Sequence, residues 1–432
     1  MEKFGGRIRI VDILRDQNNW KRFLGWKNSV GVSVREAVRY HVSRALLCRT
    51  VALGVHIFRC PDCGCLRLVP HSCKSRFCSS CATARVRSWS RQLLSELLDV
   101  AYRHLIFTIP FQLRPLIQDN RKRLEQVLFR AAADSILALT RGQPRPLSHN
   151  AQGRRQRTRK RYLPGFQTAL HSFGSDLKWN PHLHMLITAG GLSLNRRHWI
   201  DAPDKSLVSA VELATEWKLR VIAYIADAHK EQPLYCRRLQ CDRRRRLKVD
   251  LLLGFIRRFS WRVRIGPGLQ DPSHAVSYCA RYSRRPALGE TRIERYDGRH
   301  VTFRYKDYYR QGKRAYWKCP TLEFIDRLVQ HIPEKYARHF RSYGLLATRN
   351  KTELLQTARK LLAQRKRARP QPLSWCHARK QAGEKHPLRC PRCAATMFYE
   401  GSIFGNHGPL ARLCGLTSTQ QRIPYPTYLP AP

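Results

Sequence analysis

Two spacings of apolar residues alternate along this chain and divide it into elements. The run Arg103-His104-Leu105-Ile106-Phe107-Thr108-Ile109-Pro110 is aromatic and β-branched and predicts a strand. Residues 121–140 repeat their apolar positions every three or four residues and predict an amphipathic helix. A second strand is expected at 165–173 and a third from Pro181 onward, with a turn at 174–180 between them. Helices are expected at 206–229, 247–261 and 351–369, and Asp297-Gly298 is a hairpin turn between strands at 292–296 and 300–305. Asp271-Pro272-Ser273 reads as a helix start with Ser273 at the N-cap, followed by a helix from Ala275 to Arg285. The front of the chain, 1–47, looks helical and basic, with Trp20, Phe23 and Trp26 placed to pack on the module that follows, and 85–102 reads as a further basic helix. The loop at 142–160, the run Arg243–Arg246, the linker at Pro370–Pro372 and the proline-bearing tail at 424–432, expected to be disordered, punctuate the rest. Antiparallel strands flanked by helices make this an α+β chain, with a central antiparallel sheet and a small module in front of it.

Charge narrows the partner. The 432 residues carry 81 Lys and Arg against 30 Asp and Glu, a net +51. That is far more than solubility requires and is the footprint of a polyanion. Nucleic acid is favoured over a membrane surface, because no run reaches about 18 consecutive apolar residues and no helix pairs an apolar face with its lysines. The N-terminus lacks the apolar core of a signal peptide, which makes the cytoplasm the expected location.

The cysteines add metal. Seven of 15 fall between Cys48 and Cys81, where Cys60-x2-Cys63 and Cys78-x2-Cys81 are separated by 14 residues, close to the spacing of zinc ribbons. With Cys48, His56, His71 and Cys73 they offer eight ligands, enough for two tetrahedral zinc sites, and Cys65 remains over. In the tail, Cys390-x2-Cys393 has Cys376 and His377 or His386 as possible completing ligands.

Two further groups carry candidate chemistry. In Trp179-Asn180-Pro181-His182-Leu183-His184-Met185-Leu186 the alternation of a strand puts His182 and His184 on one face, spaced to hold a divalent ion. If 165–173 pairs with that strand as a hairpin, His171 joins them as third ligand, with Asp176 and Gln167 as alternatives. Downstream, Tyr278 and Tyr282 are four apart, one turn of the expected helix, beside the cations Arg281, Arg284 and Arg285. Arg304 and Lys306, interleaved with Tyr305 and Tyr308, are further candidate DNA contacts.

Leu170 to His184, Tyr278 to Pro286 and Val301 to Tyr308, in this order behind the cysteine block, resemble the two-tyrosine HUH transposases of rolling-circle insertion sequences, the type numbered ninety-one. The likeness runs from about Cys48 to Ala347 and more weakly to Cys393. It implies a basic helical segment at 1–47, a zinc-binding domain at 48–84, a catalytic HUH domain at 85–347 with its tyrosine helix near 274–285, and a tail at 348–432 holding a basic helix and a possible second knuckle. It implies metal-dependent cleavage of single-stranded DNA at the element's ends by Tyr278 or Tyr282, through a 5′-phosphotyrosine, with Mg²⁺ or Mn²⁺ at His182, His184 and His171 and structural Zn²⁺ in front. A plasmid replication initiator or relaxase shares that chemistry. A zinc-containing nucleic-acid-binding regulator would leave the histidines structural. Neither the oligomeric state nor the order in which the tyrosines act is readable.

Overall fold

The structure, a computed structural model, describes residues 8–75, 77–142, 161–202, 208–237, 249–283, 286–349, 351–368, 386–404 and 427–429. It divides into two compact units: residues 89–284 with 333–369, and residues 1–88 with 285–332 and 370–432. The stretch expected as one continuous catalytic domain, 85–347, is therefore interrupted, because 285–332 folds with the N-terminal segment. Buried polar contacts hold it there. Asn19 Nδ2 donates to the Tyr296 hydroxyl at 2.9 Å, that hydroxyl donates to Asp16 Oδ2 at 2.7 Å, and Arg35 Nη2 donates to the Ile332 carbonyl at 2.8 Å.

In the first of these units an antiparallel sheet runs, edge to edge, Phe340–Gly344, Tyr162–Phe173, Trp179–Ser193, Tyr102–Phe107 and Val263–Leu269, with Trp199–Asp201 appended to the long third strand. Alternation along Trp179–Ser193 sorts the two faces. Leu183, Met185 and Ile187 join Leu105, Phe107, Phe166 and Trp217 in the main core, beneath helices Arg121–Arg141 and Ala210–Glu231. Leu186 and Tyr102, on the opposite face, pack with Leu93, Leu97, Ala275, Val276, Leu354 and Leu355. The sheet is thus covered on both sides, and polar side chains on the second face are desolvated. Pro181 is tolerated in the longest strand because it falls at a bulge, where the register to Tyr162–Phe173 shifts between His171 and Phe173 and before pairing to Tyr102–Phe107 begins at Leu183.

The edge strand Val263–Leu269 was not expected; it carries Gly266-Pro267-Gly268 at an edge with a register shift opposite Arg103 and Leu105, where proline and glycine are allowed. Phe340–Gly344 was likewise not anticipated.

The second unit holds helices Ile10–Arg15, Asn19–Ser29 and Glu36–Leu46, a three-stranded sheet of Ile293–Tyr296, His300–Asp307 and Lys313–Pro320, and helix Thr321–Val329. Trp20 and Phe23 are buried and stack at 5.4 Å. Their helix packs on Thr321–Val329, joined by a Lys27–Asp326 ion pair at 2.8 Å, instead of serving mainly as a platform for the cysteine module as the sequence had suggested. A separate sheet orders Phe398–Ile403, Val55–Arg59, Leu66–Pro70 and Thr427–Leu429. The last of these pairs with Leu66–Leu68, so this part of the tail forms a strand where disorder was expected. Residues 143–160, 243–246 and 370–372 lie outside the described residues.

Trp217 is fully buried at the centre of the main core and donates its indole N–H to the Thr108 carbonyl at 2.8 Å. Trp217→Ala is expected to lower stability by about 3–5 kcal/mol, read as a shift in the denaturant midpoint at constant slope; a change under about 1 kcal/mol would show that the helix Ala210–Glu231 does not close this core.

Candidate metal centres and nucleic-acid site

The hairpin expected around residue 177 forms. Gly174 N–H donates to the Lys178 carbonyl at 3.1 Å, and Leu177 takes a left-handed φ of 60° to close the turn. The resulting register sets His171 directly opposite His182 and Ala169 opposite His184, so all three imidazoles share one face. Their ligating nitrogens lie within 4.8 Å of one another, with His182 Nε2 and His184 Nε2 3.0 Å apart. Of the alternatives for a third ligand, Asp176 stays in the turn, paired with Lys178 at 3.2 Å. Gln167 faces the same side one rung further on, opposite Leu186, and its Oε1 is buried with no protein hydrogen-bond partner.

Hydrogen bonds fix the ring orientations. The His182 Nδ1–H donates to the Asn180 carbonyl at 2.7 Å, which leaves Nε2 with its lone pair turned toward the cluster. His184 Nδ1 is 2.9 Å from Nε2 of His104, a residue the sequence reading passed over. His104 sits on Tyr102–Phe107 one rung away from His184, whose direct partner is Ile106. Its position on the histidine face follows only from the register between two strands some 80 residues apart, which no local pattern encodes. When His184 Nδ1 carries the proton and donates to His104, its Nε2 is free to ligate, the arrangement of a metal-binding imidazole with an outer partner.

Burial keeps these rings neutral. Desolvation pushes His104 down to about 4, with Arg264 and His182 adding to the effect. It lowers His182 and takes His184 well below the usual histidine range, where the neighbouring imidazoles reinforce it. A neutral imidazole is the form that binds metal.

The helix bearing the tyrosines runs Pro272–Ser283. It starts earlier than expected and has a different cap: Asp271, not Ser273, accepts from the Ser273 N–H at 2.6 Å, and those bonds hold its carboxyl below the usual range. Ala275 and Val276 are buried against Leu186 and Tyr102, so the helix lies across the histidine face of the sheet. Positions 278 and 282 fall on the same side of the 3.6-residue period as Ala275. The side chains of Tyr278, Arg281 and Tyr282, and all of Arg284 and Arg285, lie outside the described residues.

Among the described residues, eight cysteines form two clusters. Cys48, Cys73, Cys78 and Cys81 gather in one, and Cys60 and Cys63 join Cys390 and Cys393 in the other. The expectation that all eight ligands come from residues 48–81 is thereby corrected. His56 and His71 stand outside both sets, with His56 Nδ1 2.5 Å from the Ser402 hydroxyl and the His71 Nδ1–H donating to the Leu53 carbonyl at 3.0 Å. Cys65, the residue left over, is buried beside Cys60, Cys390 and Met397. Cys376 and His377 lie outside the described residues. His386 Nδ1 accepts from the Leu388 N–H and belongs to neither set.

Among the expected DNA contacts, Arg304 is committed to an ion pair with Glu294 at 3.3 Å and donates to the Thr291 carbonyl. Lys306 is exposed and opposes Arg314 across the strand pair, while Arg304 opposes Tyr316. Tyr308 and Tyr309 at the hairpin tip are 74% and 101% exposed, the condition base stacking needs.

Comparison with known proteins gives the family. Residues 17–109 match the family described as "Transposase zinc-binding domain", of the IS91 type, and residues 165–353 match the one described as "Putative transposase". The transposase for insertion sequence element IS801 of Pseudomonas savastanoi pv. phaseolicola is 30% identical over 377 residues, 84% of this chain and 83% of the relative. The chain belongs to the IS91-type transposase family. A Sinorhizobium fredii protein named "Putative transposase y4qJ" is 28% identical over 331 residues, 76% of this chain and 79% of its own. No solved structure matches the transposase. Membership brings DNA as the partner and structural zinc in the cysteine module. Among its described residues no helix is long and apolar enough to cross a membrane.

The lowered histidine values set a pH dependence. His104 titrates near 4 when folded and near 6.5 when unfolded, so the unfolded chain takes up protons first as the medium is acidified. The stability from keeping this ring neutral is present above pH 6.5 and is lost as pH falls toward 4. The melting temperature of chelator-treated protein is expected to drop across that window, and His104→Gln, which cannot be protonated there, should flatten the drop. An unchanged profile in the variant would count against a buried neutral His104.

Proposed function

We propose that this transposase cuts and rejoins single-stranded DNA at the ends of a rolling-circle insertion sequence, using the tyrosine helix over a three-histidine metal centre. The observation carrying the reading is that the helix holding Tyr278 and Tyr282 packs on the face of the sheet that His171, His182 and His184 share. The donor set fits a divalent ion. It is all imidazole, which favours Mn²⁺ over Mg²⁺, since Mg²⁺ prefers hard oxygen donors and gives up its waters reluctantly. When bound, the ion withdraws charge from the scissile phosphate's oxygens.

The remaining chemistry belongs to the chain. One phenol loses its proton and attacks phosphorus, the bond from phosphorus to the 3′ oxygen breaks, and that oxygen leaves as a free 3′-hydroxyl once protonated. The 5′ end stays on the tyrosine as a phosphodiester, so rejoining by another 3′-hydroxyl needs no nucleotide hydrolysis. A second phenol one helical turn away allows a second strand to be cut while the first is held. Arg281, Arg284, Arg285 and Lys306 are assigned to phosphate contacts, with Arg304 in a supporting place beside Glu294. The exposed tyrosines at 308 and 309 are assigned to stacking on unpaired bases.

Two measurements test this. His182→Ala with His184→Ala is expected to abolish nicking of a single-stranded end oligonucleotide, while leaving DNA affinity within about threefold, because affinity rests on Lys and Arg; undiminished nicking rejects the metal centre. Tyr278→Phe or Tyr282→Phe alone should leave some cleavage, and the double variant none, with no covalent adduct by mass spectrometry. An adduct mapped to a different tyrosine, or cleavage by the double variant, overturns the assignment of the nucleophiles.

A further inference from the structure

The transposase zinc-binding family match ends at residue 109, yet two of the eight clustered thiols, Cys390 and Cys393, lie far beyond it. We propose that Cys60, Cys63, Cys390 and Cys393 bind one zinc ion as a composite centre, so that the N-terminal zinc module is completed only by a knuckle from the far end of the chain.

The two halves are built alike. Cys60-Pro61-Asp62-Cys63-Gly64-Cys65 and Cys390-Pro391-Arg392-Cys393-Ala394-Ala395 share the Cys-Pro-x-Cys spacing and fold identically. In the first, the Cys60 N–H donates to the Cys65 carbonyl at 2.9 Å and the Gly64 N–H to the Cys60 carbonyl at 3.1 Å. In the second, the Cys390 N–H donates to the Ala395 carbonyl at 2.8 Å and the Ala394 N–H to the Cys390 carbonyl at 3.0 Å. The residue after each second cysteine is left-handed, Gly64 at φ 68° and Ala394 at φ 62°. Glycine adopts that conformation freely, whereas alanine does so rarely, and its presence at 394 marks a turn fixed by something other than local preference. Ligation of the flanking thiols supplies that constraint.

The sulfur geometry fits zinc and not a disulfide. Cys60 and Cys393 Sγ are 3.3 Å apart, Cys63 and Cys390 3.5 Å, and Cys63 and Cys393 3.7 Å. A tetrahedron with zinc–sulfur bonds of about 2.3 Å has edges of about 3.8 Å, while a disulfide requires about 2.05 Å. The strand Val55–Arg59 leads into the first knuckle and Phe398–Ile403 follows the second, and these two strands pair with Arg59 opposite Phe398, reinforced by an Arg59–Glu400 ion pair at 2.8 Å. The centre therefore clasps Phe398–Ile403 to Val55–Arg59 across 327 residues of sequence.

Metal analysis of the full-length protein, purified under reducing conditions, tests the assignment. Two zinc ions per chain are expected, and the pairs Cys60→Ser/Cys63→Ser and Cys390→Ser/Cys393→Ser should each leave one. The fourfold variant should also leave one, because both pairs serve the same ion. A fourfold variant losing two ions would place the pairs on separate metals, and two ions retained after Cys390→Ser/Cys393→Ser would remove the C-terminal knuckle from the site. Should the variants fail to fold, the unaltered protein decides: titration with a thiol-modifying mercurial is expected to release two zinc ions for eight thiols, and a Cys60–Cys393 disulfide found by peptide mapping under non-reducing digestion overturns the proposal. Hydrogen exchange of residues 398–403 should accelerate at least tenfold in Cys60→Ser/Cys63→Ser, and unchanged protection would also count against it.

Discussion

Alternation along one strand, Trp179–Ser193, is the constraint from which the candidate site follows. Odd positions, Leu183, Met185 and Ile187, are committed to the main core, so even positions face the other way with no freedom to slip, because a shift of one residue would send the whole apolar set to the wrong side. Since helices and loops cover that other face too, the imidazoles of His104, His171 and His184 are buried there, with the half-buried His182 beside them. Neutrality, ring orientation and close approach are all consequences of that one register. The edge strands, the tyrosine helix and Leu354 with Leu355 contribute by keeping water from the face.

Much of this was legible in the sequence because the signals are local. His-Leu-His in a β-rich run gives a shared face, the turn residues before it give a hairpin, and two CxxC pairs give zinc. Where two pieces of chain must meet, legibility ends. His104 carries no motif, and its place beside His184 is set by a pairing about 80 residues long in sequence. The partners of Cys60 and Cys63 lie about 330 residues away, and the nearer candidates His56 and His71 looked equally suitable as ligands. The N-cap was misjudged for a simpler reason. Asp271 and Ser273 are both good caps, and only the position of Pro272 at the first helical residue favours the aspartate.

Positive charge shows the opposite behaviour, visible in total and unreadable in detail. A net +51 announces a polyanion, yet individual cations differ in their surroundings: Arg304 is paired with Glu294, while Lys306 is exposed opposite Arg314. Sequence proximity to aromatic residues does not separate the two. Strand parity does not separate them either, since Arg304 and Lys306 stand two residues apart on one strand and share a face.

The way the two units share the chain bears on its synthesis. Tyr162–Phe173 forms one flank of the histidine hairpin, and its outer edge is closed by Phe340–Gly344, with Ala169 opposite Phe340. Between those residues the ribosome makes a whole segment that belongs to the other unit. At about 5–20 residues per second, roughly 10–35 s pass between the appearance of the strand and that of the segment that covers it. For that time a nascent chain carries an open, largely apolar edge, the feature that templates pairing with other chains.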